Sequence, residues 1–253
     1  MLQRTFSLGL ALAAVLGVCL WTGPVLAQDK PDAKEVMEKY IQVTGGREAH
    51  EKVKNLVAEG TIEVSAVGIK GSFKSWQATQ QQVVEIDISG IGKMVEGTDG
   101  KNAWSVSAVQ GNRVKEGKEL DEALFDAELH GELNWQKRYK KVETVGIADV
   151  EGKQAYKVIA TPEKATPRTM YFDKDSGLLL KVESKQTTPM GEFEAEMFLG
   201  DYREVSGIKV PLKNRLKISG QEMVITLEKI QANVEIPKDR FAVPAEVKDL
   251  LKK

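Results

Sequence analysis

From Gly207 to Ile218 the chain reads G-I-K-V-P-L-K-N-R-L-K-I, with Ile208, Val210, Leu212, Leu216 and Ile218 on one parity and Lys209, Lys213, Arg215 and Lys217 on the other. A side-chain period of two sends these sets to opposite faces of an extended strand. The pattern recurs: Val84, Ile86 and Ile88 alternate with Glu85 and Asp87, and Phe193, Ala195, Met197 and Leu199 with Glu192, Glu194 and Glu196. A sheet of such strands has one broad apolar face, and what covers it decides the function.

Before the alternation begins, Pro31-Asp32 opens a helix with Val36, Met37, Tyr40 and Ile41 on one side, and Gly45-Gly46 stops it. A second short helix over 47–53 places Ala49 and Val53 four apart. Strands are then predicted over 56–64, 69–79, 83–88, 93–98 and 102–107, with Asp99-Gly100 as a tight hairpin turn. Over 119–138 the alternation disappears and the period becomes helical, Leu120, Ala123, Leu124 and Ala127 forming an apolar stripe opposite Asp121, Glu122, Asp126 and Glu128, with Gly131 breaking it before Leu133 and Trp135. A second meander follows over 141–145, 154–161, 168–173, 178–184, 192–202, 208–218 and 222–230, with 173–177 as a turn and Pro211 at an edge or bulge. Which parity of 56–64 and 141–145 faces inward stays open. About twelve strands around one helix approach the size at which an open twisted sheet curls. The expected class is α+β, mainly antiparallel β: a curled, incomplete β-barrel with N-terminal helices and a central helix over its concave face.

Arg4, the apolar run from Leu8 to Leu20 and Val25-Leu26-Ala27 read as a secretory signal cleaved after Ala27, leaving 28–253 as one domain in a periplasmic or secreted protein. Cys19 is the one cysteine and lies inside that segment, so neither a disulfide nor a cysteine-based metal site is expected. Val18 directly before it argues against a lipoprotein signal. With 36 Lys and Arg against 37 Asp and Glu, no basic footprint for nucleic acid exists.

Catalytic constellations are missing from the pattern. His50 sits between charged neighbours Glu48 and Glu51 and reads as a surface residue; His130 beside Gly131 reads as a helix-end residue favoured by the dipole. Neither has metal-ligand spacing. Glu192, Glu194 and Glu196 read as a solvated strand face, and 173–177 lacks the following acidic ligand of a calcium loop. Gly45-Gly46 and 90–92 are not phosphate cradles, and no serine stands in a nucleophile elbow. The expectation is a non-enzyme with no cofactor and no metal.

What remains is apolar. Val84, Ile86, Ile88, Trp104, Met170, Phe172, Met197, Leu199, Met223, Ile225 and Leu227 fall on candidate inward parities. They line either a self-filled core or a cavity. Recurrent methionines give adaptable walls, and the central helix is short for so wide a sheet. Burial of hydrocarbon at ~0.8 kcal/mol per CH₂ would hold a lipid chain without charged ligands.

The chain resembles the outer-membrane lipoprotein carriers of the LolA/LolB superfamily. The resemblance rests on Tyr40-Ile41-Gln42-Val43-Thr44-Gly45-Gly46 with Ala49, Gly60, Tyr171-Phe172-Asp173 before Ser176-Gly177-Leu178-Leu179, Asp201-Tyr202-Arg203 with Gly207-Ile208-Lys209-Val210-Pro211, and Asn233 through Ile236-Pro237 to Phe241 and Pro244. It implies an incomplete barrel closed by helices around a cavity for acyl chains. The family's lid-latching arginine has no counterpart on an early strand, since Arg47 stands in a helix. The implied partner is a hydrophobic ligand or an acylated protein, held by a monomer for which a peripheral membrane encounter is allowed. The competing reading is an interaction module with a filled core, acting through a sheet edge or surface loops.

Overall fold

Asp32 starts the first helix, α1 (Ala33–Val43), by accepting the Lys34 backbone N–H at 2.7 Å on its carboxylate. Gly45, at φ +127°, then turns the chain into α2 (Gly46–Lys52). A Cβ on Gly45 would lie 2.3 Å from the Gly207 carbonyl oxygen, so only glycine permits this approach. Next to it the Lys209 N–H donates to the Thr44 carbonyl at 2.8 Å, and Asn233, in the left-handed region, bonds Lys54 N–H and the Lys52 carbonyl through its side chain. Three of the motifs behind the resemblance thus meet where the helix pair joins the sheet.

The computed structural model describes residues 30–188 and 191–252; the signal segment and Cys19 lie outside them. After the helix pair come β1 (Asn55–Val64), β2 (Ile69–Ala78), β3 (Gln81–Ile88), β4 (Gly92–Thr98), β5 (Ala103–Ser107) and β6 (Arg113–Lys115). Then follow α3 (Gly117–Asp126) and the one-turn α4 (Trp135–Arg138); the helical stretch ends before the break expected at Gly131, which lies in the turns between the two pieces. The second meander is β7 (Tyr139–Val150), β8 (Lys153–Pro162), β9 (Arg168–Asp173), β10 (Leu179–Thr188), β11 (Gly191–Val205), β12 (Ile208–Ile218) and β13 (Gln221–Ala232), before a final turn of helix, α5 (Ala245–Lys248).

Among the described residues there are thirteen strands rather than about twelve, the short β6 being the addition. They form one antiparallel sheet in the order β6-β5-β4-β3-β2-β1-β13-β12-β11-β10-β9-β8-β7. The two meanders join only through β1 and β13, so the first and last strands close the centre. Pro211 lies in an interior strand, but the β12–β13 ladder begins at Lys213, so the proline removes no bond on that side.

The sheet is curled, and one helix proves it. α3 touches β4 and β5 on one side and β10 on the other. Seven strand spacings separate β4 from β10 in the sheet order, about 34 Å if flat at ~4.8 Å each. The ten residues of α3 span only about 15 Å. The strands must therefore wrap around the helix, as an incomplete barrel does.

The acidic side of α3 is not simply turned to water. Glu122 is 6% exposed: the backbone N–H and hydroxyl of Thr166 both donate to it, and Arg168 approaches its other oxygen at 3.4 Å while pairing with Asp126 at 2.5 Å. Arg113 binds Glu119 in the same way at 2.5 Å. Leu120, Ala123 and Leu124 remain half-buried. The sheet offers cations and donors where α3 crosses it, so the carboxylates turn inward and are satisfied there.

The two predicted turns are built as their residues dictate. Asp99 accepts the Lys101 and Asn102 amides at 2.8 and 2.7 Å, and Asp173 those of Asp175 and Ser176 at 3.0 and 2.7 Å. Partial burial pushes each carboxyl up, but these donors outweigh it and hold both pKa values below the ordinary 3.8. A depressed folded-state pKa contributes stability that is complete above the unfolded value and is lost as pH falls through the folded one. The urea midpoint of the protein is expected to drop as pH falls below about 4, and the Asp99→Asn, Asp173→Asn double variant to lose part of that slope. Superimposable pH profiles would refute the assignment.

Candidate functional site: an apolar row across the sheet

Directly opposed residues of antiparallel strands share a face, so the register traces rows of side chains across the sheet. One row runs Val64, Met223, Leu216, Met197, Val182, Met170, Val158 from β1 through β13, β12, β11, β10 and β9 to β8. A second runs Ile88, Gly71, Ile62, Ile225, Asn214, Leu199 from β3 to β11. Strand alternation adds Val84, Ile86 and Phe172 to the same surface. Nine of the ten predicted site residues therefore lie together. The parity left open for β1 is settled as well: Ile62 and Val64 belong to this face.

This is the face the helices cover. Val36, Met37 and Ile41 of α1 pack on Val158, Met170 and Phe172, with the Tyr40 ring edge-on to Phe172 at 5.5 Å. Burial pushes the Tyr40 and Tyr202 hydroxyls above their ordinary range, so this end of the row carries no phenolate. Beneath α1 the row is closed. Farther along it is not: Val182, Met197, Leu216, Met223 and Val64 are half-buried, as are Val84, Ile86, Ile88, Leu199 and Ile225. Two helices of eleven and ten residues do not cover a thirteen-strand sheet.

Trp104 is the exception. Its row, Trp104, Gly97, Val83, Trp76, lies on the opposite face of the sheet. There the C-terminal segment covers it with Phe241 and Val247, and Arg240 stacks on Trp76 at 4.1 Å while pairing with Glu85 at 2.8 Å. Strand β5 is buried on both sides, Ala103 and Ser105 as fully as Trp104, so its composition does not say which parity faces the helices.

The cavities are distributed unevenly around these surfaces. Phe172 lines a hollow of about 160 Å³ beside Val36 and Tyr156, and Val84 a cleft of about 150 Å³ whose other walls are the polar Glu96, Lys115 and Asp126. Trp104 borders one of about 360 Å³ with Arg240. A wider cleft of about 700 Å³ is walled chiefly by Glu183, Lys185, Glu194, Glu196 and Lys217, the charged parity opposite the apolar rows. Volume alone would select that cleft, but its charged rim suits a polar partner rather than a hydrocarbon.

Sequence reasoning missed one grouping altogether. His50 is 5% exposed rather than at the surface, and His130 lies beyond the end of α3, its Nε2 2.6 Å from the Val53 carbonyl; with Glu132 they converge near the α1–α2 corner. Arg47 also acts there, donating to the Leu133 carbonyl at 2.8 Å and pairing with Glu38 at 2.6 Å, which ties α2 to the segment after α3. No spacing in the sequence signals a meeting of residues eighty positions apart.

No protein-family model matches the chain, and no curated protein matches it in sequence. Solved structures do. A DUF1329 family protein from Desulfovibrio piger superposes with a TM-score of 0.57 at 15% identity, over 84% of this chain and 98% of that one. A LolA superfamily protein from Nitrosomonas europaea gives 0.55 at 11%, over 84% and 98%. A domain from Vibrio parahaemolyticus described as an outer membrane lipoprotein-sorting protein gives 0.53 at 13%, over 86% and 100%. Such identities speak for architecture alone: the curled open sheet with helices along its inner face has the fold of the LolA superfamily and lipoprotein-sorting structures it superposes on.

Proposed function

We propose that the protein is a periplasmic or secreted carrier that shields a hydrophobic ligand, a lipid or the acyl chains of a lipoprotein, against the helix-covered face of its sheet. The observation behind this is the row from Val64 to Val158, apolar across seven adjacent strands and half-buried over most of its length. A row crossing six strand spacings is about 29 Å long, enough for an extended acyl chain. Met170, Met197 and Met223 recur along it, and unbranched thioethers adapt to chains of varying shape. Part of the hold on α3 is polar, through Glu122 and Glu119, whose partners water can replace if the cover lifts from the sheet. The LolA-like fold supports the same role, and no helix among the described residues is long and apolar enough to cross a membrane.

The alternative, a module working through its sheet edges, has less support. One edge strand, β6, has three residues, and the other, β7, is interrupted by two register shifts and carries Lys140, Lys141 and Glu143. Short, bulged and charged edges resist strand addition. The carrier reading is tested by purifying the protein without detergent, extracting it with organic solvent and searching for lipid by mass spectrometry, alongside titration with a nonpolar fluorescent dye. Co-purified lipid or saturable dye uptake is the expected result. Absence of both would remove the carrier role.

A further inference from the structure

We infer that His50, His130 and Glu132 form a binding site for a zinc-class divalent cation, which fastens the segment after α3 to the α1–α2 corner. The two rings stand edge to face with centroids 5.9 Å apart, and one donor atom from each of the three residues lies within 4.8 Å of the others.

The hydrogen bonds on the far side of each ring point to metal ligation. The Thr44 hydroxyl has the Tyr40 and Ile41 carbonyls at 2.8 and 3.2 Å to take its one hydrogen, and with that hydrogen placed there it is free to accept from His50 Nε2, 3.0 Å away. The Val53 carbonyl, facing His130 Nε2 at 2.6 Å, can only accept. His130 therefore carries hydrogen on Nε2, and with the same tautomer at His50 both Nδ1 atoms present lone pairs in the neutral form. These Nδ1 atoms are buried, and the Glu132 carboxylate is the group they address. They face the Glu132 carboxylate, His50 Nδ1 at 3.2 Å and His130 Nδ1 at 3.9 Å. Two lone pairs and an anion turned toward one another make a site that a cation can fill. A single proton serves one ring; a metal ion serves all three groups.

The donor set fits zinc better than calcium or magnesium, because two imidazoles and one carboxylate are borderline ligands. Tetrahedral zinc with bonds of about 2.1 Å wants its ligands about 3.4 Å apart, which the present spacing approaches. The second hydrogen bond of each ring is the outer-shell support that fixes tautomer and orientation in metal sites. His130 and Glu132 are partly exposed, so water can complete the coordination. This site is independent of the apolar rows, and its failure would leave the carrier role standing.

The full chain, without a histidine tag and stripped by chelator, is titrated with Zn²⁺ calorimetrically and with Co²⁺ by its visible ligand-field spectrum. One ion per chain is expected, with the Co²⁺ spectrum of an imidazole-containing site and a higher melting temperature in Zn²⁺. His130→Asn and Glu132→Gln should each weaken binding at least tenfold while the chelated variants melt near the wild type. Because the chain has only two histidines, their ring signals in wild-type NMR spectra report on this site alone and must shift with Zn²⁺ even if a variant fails to fold. No saturable binding, binding that both variants retain, or unmoved histidine signals would overturn the assignment, leaving a proton-linked ion pair only.

Discussion

Replacing Met197 with aspartate is expected to cut uptake of a nonpolar probe sharply while the protein still folds. Met197 stands in the middle of the apolar row, between Leu216 on β12 and Val182 on β10, and is half-buried. In the free protein a carboxylate there keeps part of its hydration, and the substitution costs stability of order 1 kcal/mol. Under a bound acyl chain the same carboxylate loses its water and gains no partner. The penalty for such a charge is several kcal/mol, and each 1.4 kcal/mol is a factor of ten, so affinity falls at least about a hundredfold. Probe titration and urea unfolding of the same preparation measure the two effects separately. If binding and folding are lost together, Met197 is a core residue and the face is filled by the protein itself.

Trp104→Ala reverses the pattern. Trp104 is 1% exposed and packs with Val83, Phe241 and Val247 on the face away from the helices. Its ring lies so close to Gly97 that a Cβ there would come within 2.8 Å of it. Removing an indole from a site this tightly filled costs about 3–5 kcal/mol, read as a lower urea midpoint. Protection of the C-terminal segment against proteolysis falls with it. Probe affinity of the folded fraction should change by less than about threefold, because each 1.4 kcal/mol is tenfold and no contact of the row is removed. Stable protein that no longer takes up probe would place the ligand on the Trp104 face instead. Read together, the two variants separate the helix-covered surface from the C-terminal clasp.

The strands were legible because their signal is local. Alternation of apolar and charged residues marks β3, β11 and β12, and the Asp99 and Asp173 turns carry their own hydrogen bonds within four residues. Nine of the ten candidate side chains fell on one face because most of these strands have a clear apolar parity. Where a strand is covered on both sides, as β5 is, the same signal vanishes, and Trp104 was placed with the wrong neighbours. The burial of Glu122 was hidden for a related reason: helical periodicity separates two faces of α3, but it does not reveal that the chain beneath supplies Thr166 and Arg168.

The sequence by itself determined the period, the turns and therefore a chain of two-faced strands, since backbone sterics and side-chain alternation act between near neighbours. Tertiary structure decided which strands lie side by side, above all the pairing of β1 with β13, about 160 residues away, and with it the two rows that join residues of both meanders. It also brought His50 to His130 and Glu132. These choices depend on hydrogen-bond register and on charges meeting across the fold, and energies shared between distant segments leave no periodic trace along the chain.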